Sequence, residues 1–117
     1  MGELHPAMLG GAITFLLGVL GCVAPRRVEK LVHISAVGKT GISEIRATYG
    51  GVFLGLGAGM LYFNDPKIYV VAAAAWFCAA TMRLLSILFE RSRAPDNIGG
   101  VLFEAAVGTL LMFHWTV

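Results

Sequence analysis

The sequence predicts an all-α membrane protein: a four-helix transmembrane bundle with both termini on the extracytoplasmic side. Three observations predict it. Of the 117 residues, 57% are apolar and only 14% charged, whereas a soluble domain carries about 25% charged residues. The apolar residues gather into four runs, each near the roughly 17–25 residues that a helix needs to cross a hydrocarbon core. Seven of the nine basic residues sit between the first and second runs or between the third and fourth, the pattern that keeps those loops cytoplasmic. A chain this apolar cannot be disordered, and its length fits a single integral membrane domain over residues 1–117.

The first run covers about residues 7–24 and is closed by Pro25 and Arg26-Arg27. The segment before it holds no Lys or Arg, so it lacks the basic start of a secretory signal and reads as a retained span. The second run covers about 47–63 and ends at Asn64-Asp65-Pro66. Ser43 is the expected N-cap of its helix, with Glu44 in the first turn. The third run covers about 68–89 and ends at Glu90-Arg91-Ser92-Arg93; the fourth covers about 98–117. None alternates as a barrel strand does, and backbone in lipid must satisfy itself, so each is a helix. The first loop holds Arg26, Arg27, Lys30, Lys39 and Arg46, and the third holds Arg91 and Arg93. The second loop holds only Lys67. Tyr62, Tyr69 and Trp115 then fall near the outer boundary as aromatic anchors. The first loop is partly apolar and suits a short amphipathic segment on the membrane surface. Its Gly38-Lys39-Thr40 stretch resembles the end of a phosphate-binding loop, but His33 stands where that motif needs glycine. A nucleotide site is rejected on that ground.

Charges inside the spans carry the most information. Arg83 lies in the third run and Glu104 in the fourth, each six positions from the edge of the shared loop. At 1.5 Å per residue both are about 9 Å deep. A lone charge at a span's centre costs roughly 2.5–3.5 kcal/mol, and a paired one much less. An Arg83–Glu104 ion pair facing the interior is therefore expected, either as a static clamp between helices or as a ligand or proton site. Arg46 and Tyr49 enter from the second span on the same side. Together the four residues Arg46, Tyr49, Arg83 and Glu104 make an expected polar cluster in the cytoplasmic half. Two arginines against one carboxylate leave spare positive charge for an anion such as a lipid headgroup. The simpler reading, interfacial Arg and Tyr with no ligand, stands beside it.

Gly51, Gly55 and Gly59 recur every four residues on the second span, a small-residue stripe suited to close helix packing. Gly11, Gly18 and Cys22 on the first, Ala72, Ala75 and Ala79 on the third, and Gly100 and Gly108 on the fourth are the expected counterparts. His5 and His114 fall at the outer face and are weak candidates for metal or haem ligation. The sequence implies no metal site and no cofactor beyond that, no paired catalytic carboxylates and no nucleophile motif. Cys22 and Cys78 lie in apolar runs and read as free thiols rather than a disulfide.

The stretch Glu44-Ile45-Arg46-Ala47-Thr48-Tyr49-Gly50-Gly51, followed by Phe53-Leu54-Gly55-Leu56-Gly57, resembles the E-x-R-A-x-Y-G-G signature of a bacterial family of small four-span membrane proteins, domain of unknown function 4345. Arg83 matches that family's arginine in the third span, and Glu104 its glutamate in the fourth. The resemblance covers almost the whole chain. It implies a four-span, multi-pass protein of the bacterial inner membrane and supplies no activity. The function expected is a non-catalytic accessory, interaction or lipid-binding module. Its partners would be membrane lipids and a membrane protein or second copy of itself, with no nucleic acid. A small oligomeric transporter is the second reading, and a haem- or metal-binding redox protein the third.

Overall fold

The computed structural model describes residues 5–91 and 95–113. Every regular element among them is helical: α1 (Pro6–Val23), α2 (Pro25–Val32), α3 (Gly38–Ile45), α4 (Phe53–Phe63), α5 (Pro66–Phe89) and α6 (Pro95–Met112). Between α3 and α4 the chain is π-helical from Arg46 to Val52. Ile45, Arg46 and Phe53 all keep right-handed helical backbone. Residues 38–63 therefore form one rod whose winding loosens in the middle and tightens again. Two helices, α1 and α5, are long and apolar enough to cross a membrane.

The chain divides into two compact units. One comprises Met1–Gly10 with Asn64–Val117, and the other Gly11–Phe63. In the first, α5 and α6 pack face to face. Asp65 starts α5 by accepting the Lys67 N–H at 2.8 Å, with Pro66 at the first helical position, where its missing N–H is harmless. Tyr69, Ala72, Ala73, Trp76 and Ala80 are buried on α5, and Val107, Gly108 and Leu111 on α6. Of the expected set Ala72, Ala75 and Ala79, only Ala72 is buried; Ala73 and Ala80 are buried in place of the exposed Ala75 and Ala79. The small side chain is needed on the face that meets α6. Gly108 fits against Phe77, whose Cε1 would lie 2.9 Å from an added Cβ. Trp76 and Phe103 meet edge to face at 6.0 Å, a favoured aromatic geometry. The amide of Ala7 donates to the carbonyl of Phe113 at 3.1 Å, tying the start of α1 to the end of α6.

In the second unit, α1 lies against the π segment and α4 through backbone-to-backbone contact. A Cβ on Gly18 would meet Leu54 N at 2.2 Å, and one on Gly21 would meet Tyr49 C at 2.5 Å. From the other side, a Cβ on Gly50 would meet Cys22 N at 2.8 Å, and one on Gly57 would meet Phe15 N at 2.4 Å. This corrects the expected stripe. Gly55 and Gly59 have nothing within 4 Å of an added Cβ, and Gly51 has only its own helix's Arg46 carbonyl at 4.0 Å. The period-four count assumed regular α winding, and the π segment changes the angular phase of everything after residue 46.

The first loop is largely helical. Pro25 opens α2, and Val28 is buried while Arg26, Arg27 and Lys30 are exposed. α2 ends on His33 in left-handed backbone (φ 60°). The N–H groups of His33 and Ile34 both donate to the Glu29 carbonyl, a common way to close a helix end. α3 starts at Gly38, itself at φ 66°. The rod thus begins well before the expected boundary at residue 47, and Ser43 lies inside α3 rather than capping it.

Candidate functional site

The α5–α6 pair places a cation and its partners on facing surfaces. Asn97, Gly100 and Glu104 recur at i, i+3 and i+7, so they share one face of α6. Arg83 on α5 lies across that face. Its Nε donates to Glu104 Oε1 and its Nη2 to Glu104 Oε2, each at 2.9 Å. Its Nη1 donates to Asn97 Oδ1, also at 2.9 Å. Two parallel bonds onto one carboxylate are the strongest form of this pair. Gly100 makes room for it: an added Cβ would lie 2.8 Å from Arg83 Nε. The Glu104 side chain is 12% exposed and the Arg83 side chain 34%. All three nitrogens of the Arg83 guanidinium are engaged within the α5–α6 pair. Asn97 is the residue that sequence reasoning missed. Its seven-residue spacing from Glu104 was the available signal.

Arg46 and Tyr49 belong to the second unit, and both lie in the π segment. Arg46 Nε donates to the Cys22 carbonyl at 3.0 Å. The Tyr49 ring tilts against Phe53, with centroids 6.2 Å apart. Tyr49 also borders a cleft of about 350 Å³ formed with the α2–α3 connection and α3. One wall of that cleft is held by Glu29. Its Oε2 accepts the Ala36 N–H at 2.7 Å, and its Oε1 meets Arg26 Nη1 at 3.3 Å. The Ala36 N–H bond holds the Glu29 carboxyl below the usual carboxylate range. Desolvation opposes it, and Arg26 adds to it.

A second polar knot lies in the first unit. Asn64, at φ 51°, accepts with Oδ1 from Tyr69 Oη at 2.9 Å and from His5 Nε2 at 3.1 Å. The ring of His5 stands edge-on to Tyr69 at 5.5 Å. Tyr69 is therefore fully buried and is not the boundary anchor the sequence suggested, whereas Tyr62 is 83% exposed. His5 Nε2 is engaged by the Asn64 side chain. His114 and Trp115 lie outside the described residues. Among the described residues, no group of three or more His, Cys, Asp and Glu side chains is placed to hold a metal ion.

The family model described as Domain of unknown function (DUF4345) matches residues 7–115. The chain belongs to this family. No curated protein and no solved structure matches it. In this DUF4345 chain, the stretch from Glu44 to Gly51 runs through the end of α3 into the π segment. The family-like Arg83 and Glu104 are the two ends of the forked ion pair.

Proposed function

We propose that this chain is a small multi-pass integral membrane protein, a non-catalytic module that binds lipid and packs against membrane partners. The observation that carries this reading is the inside-out character of α5. Arg83, the cation in its interior, closes on Glu104 and Asn97, while Val70, Val71, Met82, Leu84, Leu85 and Leu88 are exposed. Exposed apolar surface on this scale needs a non-aqueous neighbour. Four spans follow if α1, the 38–63 rod, α5 and α6 each cross. The π segment divides the rod into pieces that are individually short, and Glu104 lowers the hydropathy of α6. Their combined lengths still support crossing, since 1.5 Å per residue over the rod exceeds a core about 30 Å thick. The basic loops then face the cytoplasm, with both termini outside.

A carrier would need Glu104 open to protons or cations. The fork from Arg83 favours the closed clamp instead. The membrane reading is tested by alkaline carbonate extraction of membranes containing the full chain. Retention in the pellet is expected, and release into the supernatant would end the reading.

A further inference from the structure

The connection between α1 and α3 carries charge that helix packing does not use. Ala24 alone separates the end of α1 from Pro25, the first residue of α2. At about 3.6 residues per turn, Arg26, Arg27, Lys30 and Leu31 fall on the side of α2 opposite Pro25, Val28 and Val32. Those four are exposed, while Pro25 and Val28 are buried. α2 thus packs its apolar side into its own unit and turns a basic side outward. Residues 25–41 hold four basic side chains, Arg26, Arg27, Lys30 and Lys39, against one acid, Glu29. That acid is spent inside the fold, on the Ala36 N–H at 2.7 Å and on Arg26 at 3.3 Å. Among the described residues, the side chains of Arg27, Lys30 and Lys39 have no hydrogen-bond or ion-pair partner. Arg26 and Arg27 lie in the first turn of α2 and Lys39 in that of α3, where the helix dipole disfavours a cation. These charges therefore work against the local helices, and their counter-charge has to come from outside the chain.

We propose that the outward face of α2 lies on anionic phospholipid, in the leaflet at the C-terminal end of α1. The proposal rests on the membrane reading and names the lipid class and the surface that meets it. Two features select a bilayer surface over a soluble acidic partner. α1 is long and apolar enough to cross a membrane, so a helix that starts after a single intervening residue starts at the interface. Leu31, 61% exposed, stands one turn after Arg27 on the same side, and the headgroup boundary accepts an apolar side chain beside a cation. Arg27 and Lys30 then face lipid phosphates, as basic clusters next to a span do. A zwitterionic headgroup brings its own cation along with the phosphate, so the anionic lipid is favoured. Glu29 is a positioning residue here: by bonding the Ala36 amide it is drawn away from Arg27 and Lys30.

The test is hydrogen exchange of the full chain in two sets of nanodiscs, phosphatidylcholine alone and phosphatidylcholine with an equal share of phosphatidylglycerol. One basic residue beside an anionic leaflet is worth a factor of about five. The α2 amides should therefore exchange at least about five-fold more slowly in the anionic discs. The corner 64–67, with Asp65 balancing Lys67, is the internal control, because hydroxide depletion near an anionic surface slows both segments alike. Arg27→Gln with Lys30→Gln should bring the α2-to-corner difference below about two-fold at unchanged helix content. Salt at about 1 M, where the screening length is about 3 Å, should do the same in the unmodified chain, which keeps the test decisive if the double variant does not fold. Equal α2 exchange in the two discs, or slowing that survives both the substitutions and the salt, overturns the proposal and leaves the membrane reading standing. Slowing on addition of soluble polyglutamate, with no response to phosphatidylglycerol, assigns the face to an acidic protein and also overturns it. A chain that does not enter nanodiscs overturns both readings.

Discussion

At the scale of single residues, the Arg83–Glu104 fork joins α5 to α6 by two charge-assisted bonds. Removing one partner leaves the other without its counter-charge. Glu104→Gln is expected to destabilise the folded chain by about 3 kcal/mol, the low end for a broken buried pair. The low end applies because the Arg83 side chain keeps 34% of its surface. Arg83→Met with Glu104→Leu should recover most of that loss, read as unfolding in detergent by circular dichroism. A double variant as unstable as the single would show that the pair does more than neutralise itself. Glu29 gives a pH prediction. Its folded-state pKa lies below the ordinary 4.5, so its hold on Ala36 is fully present above that value. The hold is lost as pH falls through the lower folded-state value. Protection of the Ala36 amide against hydrogen exchange, corrected for intrinsic rate, should therefore fall across that acidic window, and Glu29→Gln should flatten the profile. Protection that stays constant down to the most acidic point would remove the carboxylate from this role.

At the scale of elements, the contact between α1 and the π–α4 stretch depends on absent side chains. Gly57 meets the backbone of Phe15, and backbone cannot move aside as a rotamer can. Gly57→Ala should cost about 1–3 kcal/mol by overpacking. Gly55→Ala has open space and should be neutral or gain up to about 1 kcal/mol from helix propensity. Thermal unfolding of the two variants in one detergent separates them, and equal loss in both would place the contact elsewhere. The glycine-rich character of this span was plain from the sequence, but the choice among its glycines was not. A count of every fourth residue selects Gly51, Gly55 and Gly59. The π winding instead presents Gly50 and Gly57, and nothing in the local composition announces a π segment.

At the scale of the whole molecule, the topology makes a labelling prediction. In the proposed topology, with basic loops inside, Lys67 would be the one lysine on the outer side, and Lys30 and Lys39 would be inside. A membrane-impermeant amine reagent applied to intact cells should modify Lys67 and spare the other two until the membrane is opened. Labelling of Lys30 or Lys39 in sealed cells would invert the orientation. The carbonate and labelling experiments fail separately, since a protein can be integral in either orientation.

Composition and run length were enough to make the chain helical and to put a cation and an anion level with each other on neighbouring helices, because both follow from counting along a rod of known rise. Family membership was legible in the E-x-R-A-x-Y-G-G stretch. Tertiary structure alone decided that Tyr69 turns inward to Asn64 and that Glu29 fixes the wall of a cleft seven residues away. Those choices depend on where a side chain's polar end finds a partner once helices are packed. That is a property of the assembled surfaces, and no pattern along one strand of sequence contains it.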